Sequence, residues 1–579
     1  MKKKKEIFVL LGSLLVIILS VTLAYFTVQI IGKGKEISLD SANLKITFAS
    51  GGGNISSTNI EPGWSSGAST FTVKNESKDT YKYNIVIKDL VNTFVTTGYL
   101  QYKITSADGG YNMSEFKDVP KSTAAKDEIL AYSVEIAKGK THSYSIEFKY
   151  LNSANDQSDD MGKTLSGILF IEEGTEDPHG IYAEGTLGWQ IMDDNLTRET
   201  RSSFSTTFTT TNTGTLYKST ESIASSTPKD VYYFAGDAKN NWVKFGKQSV
   251  LSCIYNDNQV SKGNYSSGPE RIVSISPIQS KSECETTGIC VTREYGPVVG
   301  VTSSQCSDHK GTWLNETPVY QGVVEHDIYW RIIRTNYDGS VRLLYSGTSP
   351  DTTSGYIGTS AFNSANDDPM YVGYMYGTSG TLASNRTNEN DSTIKTYIDN
   401  WYSNNLSSYT KYLSTEAVYC NDRKAPSYNA SSSLYYYVST RLNAGNPTYD
   451  CEDSKDAFSG SNSEAKLTYS IGLMTADEIS YAGGVFRTSL TSPYAWYYLN
   501  SAGSSITGST YWWLLSPGSW DGVDGAVLWD VDGSDFPGRL DGNFAAYPIS
   551  VRPAISIKGD ALYSSGDGSP ENPYEIVYN

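Results

Sequence analysis

Between positions 521 and 541 the chain carries Asp521, Asp524, Asp530, Asp532, Asp535 and Asp541, a density of carboxylates that suits a hard cation such as calcium. The spacing argues against it: DVDGSD puts Gly533 fourth, whereas a helix-flanked calcium loop needs its glycine sixth. Asp and Gly are also the residues of hairpin turns. The expectation is therefore no cofactor and no metal ligand, with calcium kept as the alternative. Among these acids stand Trp520, Phe536, Phe544 and Tyr547, with Arg539 and Asn543. An aromatic ring stacks on the apolar face of a sugar while acid and amide groups take its hydroxyls, and the same mixture makes a protein hot spot. The expected ligand-binding set is Trp520, Asp521, Asp524, Asp532, Asp535, Phe536, Arg539, Asn543, Phe544 and Tyr547.

Nothing comparable speaks for catalysis. The chain has no G-x-S-x-G, no Gly-rich phosphate loop and no H-E-x-x-H, and only 4 His. His142 lies alone and is expected on the surface of a strand. No catalytic residue is assigned and an enzyme is not expected. The 6 Cys are read as structural. Cys420 and Cys451 stand apart from the others and should pair, whereas Cys253, Cys284, Cys290 and Cys306 leave three connectivities open. No C-x-x-C occurs among those four and His309 is their sole nearby imidazole, so zinc is the poorer reading.

These side chains need a scaffold. Tyr511–Leu515, Ala526–Val531 and Ile549–Ile557 are apolar runs separated by Gly, Asp, Ser and Pro, a strand, loop, strand, loop, strand pattern. Trp529 falls within a strand. The words Trp512, Trp513, Leu515, Ser516, Pro517 and Val551, Arg552, Pro553, Ile555, Ile557 resemble an uncharacterised surface domain of Gram-positive bacteria. They are similar, more broadly, to the end of a C-type-lectin-like domain, the fold shared by formylglycine-generating enzymes and retroelement variable proteins. That resemblance implies that the loops between these strands form one binding face. Enzymes of that fold use a cysteine pair, and no cysteine lies within 511–557. Arg552 is expected to brace the fold.

Upstream, Lys2–Lys5 precede an apolar run from Ile7 to Ile31, with only Lys33 and Lys35 just beyond it. That orients the N-terminus towards the cytoplasm and the rest outside. The run is long enough for a membrane anchor, while Thr22 and Ala24 make a small-x-small cleavage site; both readings stand, within 1–35. LAYFT (Leu23–Thr27), IEPGWSS (Ile60–Ser66) and DQSDDMGKTLSGILFI (Asp156–Ile171) resemble camelysin and the TasA-type biofilm-fibre proteins, which implies surface display or fibre assembly. Period-two bursts predict an antiparallel β-sandwich over 36–175, with a hairpin turn at Ala137–Lys140. A linker follows over 176–187. The remainder, 188–579, is expected to be the α+β, lectin-like domain, with a Ser-rich, Cys-containing insertion at about 247–327. Capped helices are predicted at Asp391–Leu406 and Thr475–Gly484, and the final strand (Tyr574–Tyr578) is expected beside Val231–Phe234.

A net charge of -17 argues against nucleic acid, which needs clustered Lys and Arg. Many Tyr (44) with few charged residues (19%) suit an extracellular, β-rich protein. The expected function is an adhesin-like surface protein, secreted or single-pass anchored, that binds a glycan or protein ligand. A fibre-forming surface protein and a retroelement variable protein are the alternatives.

Overall fold

The computed structural model describes residues 61–208, 211–249, 325–426, 433–490, 495–522 and 525–578 in full, together with the backbone of strands at 26–31, 37–39, 44–48, 54–60, 250–255, 271–272, 289–292, 296–298, 312–314 and 319–324. The fold is mainly β, in two compact units, Met1–Gly180 and Ile181–Asn579. Among the described residues no helix is long and apolar enough to cross a membrane. The leader expectation on 1–25 lies outside the described residues, as do Asp524, Cys284, Cys306 and the side chains of Cys253 and Cys290.

In the first unit the strands are β1 (Phe26–Ile31), β2 (Ile37–Leu39), β3 (Leu44–Phe48), β4 (Asn54–Ile60), β5 (Ser69–Asn75), β6 (Tyr81–Asn92), β7 (Leu100–Ser106), β8 (Lys117–Asp118), β9 (Ser122–Ile136), β10 (Thr141–Tyr150) and β11 (Thr164–Glu173). One sheet runs β4-β1-β11-β6-β9 and the other β2-β3-β5-β10-β7-β8. Alternate residues of each strand point to one face. Thus Tyr144, Ile146, Phe148 and Tyr150 of β10 share a core with Leu165, Leu169 and Ile171 of β11. Lys140 N–H donates to the Ala137 carbonyl at 3.1 Å, and Gly139 takes φ 68° in the predicted turn.

Two expectations change here. The apolar run does not continue to Ile31 as a single helix: its last six residues form β1, which pairs in parallel with β11 (Thr27 opposite Thr164). An extended strand satisfies its backbone through that neighbour, so the pairing decides over the run's hydropathy. His142 is buried rather than exposed, its Nδ1 2.9 Å from the Tyr83 hydroxyl, which itself lies 2.5 Å from that of Tyr144. Burial lowers its pKa and nearby Asp108 opposes the shift.

The second unit is built on a large sheet. Its strands are β12 (Thr197–Glu199), β13 (Thr215–Glu221), β14 (Lys229–Tyr233), β15 (Trp242–Tyr255), β16 (Val319–Thr335), β17 (Val341–Tyr345), β18 (Ile471–Leu473), β23 (Pro553–Ile557), β24 (Tyr563–Ser565) and β25 (Tyr574–Ile576). The order is β12-β13-β14-β16-β15-β25-β24, with β17 bridging β16 to β23 and β18 beyond. The β15–β16 ladder continues past a bulge from Lys244 to Lys247, opposite Asp327, and on to Tyr255 opposite Val319. Lys247 and Asp327, the ends of the expected insertion, are thus opposed on neighbouring strands. The last strand was expected beside Val231–Phe234 and instead lies parallel to β15, Val243 opposite Tyr574.

Helices α1 (Leu187–Asp194), α2 (Thr393–Asn405), α3 (Tyr437–Asn443) and α4 (Ala476–Ala482) pack around this sheet. Ser392 caps α2, burying Ile394 and Ile398 as the periodicity predicts. In α4 the capping box of Thr475 and Glu478 forms, and Gly483 ends the helix at φ 119°. Glu478 also works beyond its own helix: Oε1 accepts from Arg334 Nε at 2.8 Å and Arg342 Nη1 at 2.9 Å, and Arg334 reaches Glu221 with both Nη atoms. All four side chains are buried. The disulfide joins Cys420 to Cys451 as expected.

Candidate ligand-binding face

The expected site residues fall on a second sheet of this unit. Its strands are β19 (Trp512–Trp520), β20 (Ala526–Val531), β21 (Leu540–Phe544) and β22 (Ile549–Ser550), in the order β22-β19-β20-β21, with Leu434–Tyr435 paired to the end of β19. The aromatic-rich stretch supplies its inward face. Trp512, Trp513, Leu514 and Leu515 are fully buried. Arg552 braces this core, donating to the carbonyls of Tyr497 (2.7 Å) and Tyr345 (3.1 Å) with its guanidinium over the Trp512 ring.

Sheet register separates the expected residues into three groups. The first is internal. Trp520 is 6% exposed and sits in the core row Leu434, Trp520, Ala526, not in a loop. Its apolar area outweighs any loop preference, and pairing on both sides fixes it there. Asp532 is likewise buried, held by Arg539 Nε at 2.6 Å. These two leave the exposed binding set.

The second group is an acid and arginine cluster. Arg539 Nη2 lies 3.0 Å from Asp541 Oδ2, its guanidinium covers the ring of Phe536, and Arg487 stands 3.5 Å from the other oxygen of Asp541. Asn543 donates to Asp530 Oδ2 at 2.9 Å, while Asp530 Oδ1 is buried without a partner. Burial, opposed by that amide and reinforced by Asp532 and Asp541, pushes the Asp530 carboxyl up to about 8. Asp532 is also raised by burial, against the pull of Arg539. Phe536 (43% exposed) and Asp535 remain open to solvent. Asp532 and Asp541 converge on Arg539, and among the described residues no group of three acids, His or Cys is placed to hold a metal.

The third group was not foreseen as a unit. Tyr435 stands opposite Ser519, Ser519 opposite Val527, and Val527 opposite Phe544. Directly opposed residues share a sheet face, so these four form one row across four strands, roughly 14 Å from end to end at the usual strand spacing. Tyr435 is 65% exposed, the other three partly so, and Tyr547 (53% exposed) meets the Phe544 ring edge-on at 5.6 Å. Small Ser519 and Val527 keep the middle of the row low. Asp521 lies beside it, accepting from Gly525 N–H at 2.9 Å, and its carbonyl takes the Ser433 hydroxyl at 2.8 Å.

No family profile, curated protein or solved structure matches the chain. The site is therefore judged on its own geometry. Tyr435, Ser519 and Val527 were missed because each is unremarkable alone: Leu434–Tyr435 is a two-residue strand inside a Ser- and Tyr-rich stretch, and only long-range register joins it to Phe544. Period-two patterning could have placed Val527 outward within β20, but not its partners.

Proposed function

We propose that the chain is an adhesin-like surface protein that binds an extracellular ligand, a saccharide chain in the first place, through the open face carrying Tyr435, Phe544 and Tyr547. The observation that carries this reading is the row itself. Aromatic rings at both ends of a strip without charged side chains, with small side chains between, suit stacking against successive sugar rings. Tyr hydroxyls and the Ser519 hydroxyl supply polar contacts at its surface. A protein ligand would exploit the same rings as anchors. In this reading the second unit is C-type-lectin-like and presents the face, while the first unit is a camelysin- or TasA-like β-sandwich that displays it outside the cell.

The test is glycan-array and pull-down binding by the full chain and by a Tyr435→Ala, Phe544→Ala, Tyr547→Ala variant. Loss of binding with an unchanged thermal transition and near-ultraviolet circular dichroism supports the assignment. Retained binding by the triple variant sinks it. Trp520→Ala is unsuitable, since removing a buried indole costs about 3–5 kcal/mol and compromises the fold.

A further inference from the structure

A second concavity opens beside the disulfide. It is an open pocket of about 530 Å³ whose walls include Asp422, Lys424, Tyr437, Arg441, Thr448 and Asp450. Cys420 precedes Asp422 and Cys451 follows Asp450, so the bridge between them (Cα–Cα 5.8 Å) ties two walls together. Asp422, Arg441, Thr448 and Asp450 also line a buried chamber of about 20 Å³, the size of a water site. Arg342 and Tyr449 line that chamber too; both are more than nine-tenths buried, yet Arg342 Nε–H and the Tyr449 hydroxyl have no partner. Buried donors left unmade are costly, so the chamber, which shares these walls with the open pocket, is set up to hold a water that accepts from them.

Charge decides the class of ligand. Both cations of the open pocket are engaged: Arg441 holds Asp422 and Asp477 at 2.8 Å each, and Lys424 pairs with Glu452. Asp450 accepts from the amide and hydroxyl of Ser222 at 2.8 Å, but among the described residues no cation pairs with it. The Asp422 carboxyl is raised by burial to about 6, with Asp456 and Asp477 adding to the effect, so a further positive charge would relieve it. The Lys424 ammonium already lies 5.7 Å from the centre of the Tyr437 ring, an example of the cation that this wall accommodates.

We propose that this pocket binds ligands through a protonated primary amine, which pairs with Asp450 beside Asp422 while a water in the chamber links the ligand to Arg342 and Tyr449. The amine could come from a lysine side chain or from an amino sugar. Calorimetric or NMR titration of the full chain with Nα-acetyl-lysine methylamide and with methyl glucosaminide separates those sources, and the N-acetylated counterpart of each is the control. At least one amine is expected to bind saturably, its acetylated form about tenfold more weakly, and Asp450→Asn to lose about tenfold in affinity. The Tyr435→Ala, Phe544→Ala, Tyr547→Ala variant should bind the amine as wild type does, which keeps this site distinct from the proposed binding face. Failure of both amines to bind at about 10 mM, well above a millimolar dissociation constant, or equal binding of amine and acetylated amine, overturns the proposal; the second comparison needs no variant to fold.

Discussion

Asp530 holds a proton that an unfolded chain would release. Its folded pKa of about 8 stands above the ordinary 3.8, so between those values the native state binds one proton more than the denatured state. Stability from this group is then full at acid pH and is lost as pH rises through about 8. Asp530→Asn removes the titration while keeping an acceptor for Asn543, and should make the protein about 1–3 kcal/mol more stable than wild type at pH 8, with a smaller gain at pH 5. Thermal melts of both proteins at the two pH values check it; parallel pH dependence would refute the assignment. Glu478 is the opposite case, an ionised acid kept below its usual range by Arg342 and Arg334 despite burial. Glu478→Ala strands the buried Arg342 guanidinium, leaves Arg334 with Glu221 alone, and should cost about 3–5 kcal/mol in denaturant unfolding. The capping role of Glu478 was legible from Thr475 and its spacing alone. Its role between two arginines was not, because Arg334 and Arg342 lie on strands more than a hundred positions away, and local pattern carries no information about such contacts.

Elements were more legible than contacts, for a physical reason. β5, β7 and β10 alternate over at least five residues, long enough for one buried face to declare itself, and α2 and α4 carry their start and stop signals in the chain. β21 is the counterexample. LDGNF reads as turn chemistry, yet it completes the face because Val527–Val531 offers a free edge opposite it. β25 fails for a related reason, since parallel pairing with β15 has no adjacent turn to reveal it. The β10 hairpin supplies an element-scale prediction. His142 is neutral in its buried site, with a pKa below the ordinary 6.5. As pH falls below that value the unfolded chain protonates first, and stability is lost towards the folded pKa. His142→Gln should flatten the decline between pH 7.5 and 5.5 in the unfolding of the first unit, followed by the fluorescence of Trp64, which packs against that core. An unchanged slope would mean that Asp108 offsets burial completely.

At the scale of the whole chain, each unit has its own core: Phe71, Ile85, Phe148 and Leu169 belong to the first, Trp330, Ile398, Trp496 and Ile555 to the second. Separate cores allow separate unfolding transitions, and the disulfide offers a way to assign them. Cys420 and Cys451 are 31 positions apart, so opening the bridge returns roughly 3–4 kcal/mol of loop entropy to the denatured second unit. The Cys420→Ser, Cys451→Ser variant should therefore lower one calorimetric transition by about 5 °C and leave the other in place. Double substitution is preferable to a reductant, which would also act on the remaining cysteines. The same variant loosens the two walls of the proposed amine pocket; Tyr435 lies within the segment that the bridge closes, but its place in the outer row is set by pairing with Ser519. Weaker amine binding, with ligand binding at that row less affected, is expected, because the bridge ties the walls at Asp422 and Asp450 directly while Phe544 is held by the β20–β21 ladder and Tyr435 by its pairing with β19. Were both transitions to fall together, the two cores would be coupled in unfolding and the proposed division of labour between display and recognition would lose its thermodynamic footing.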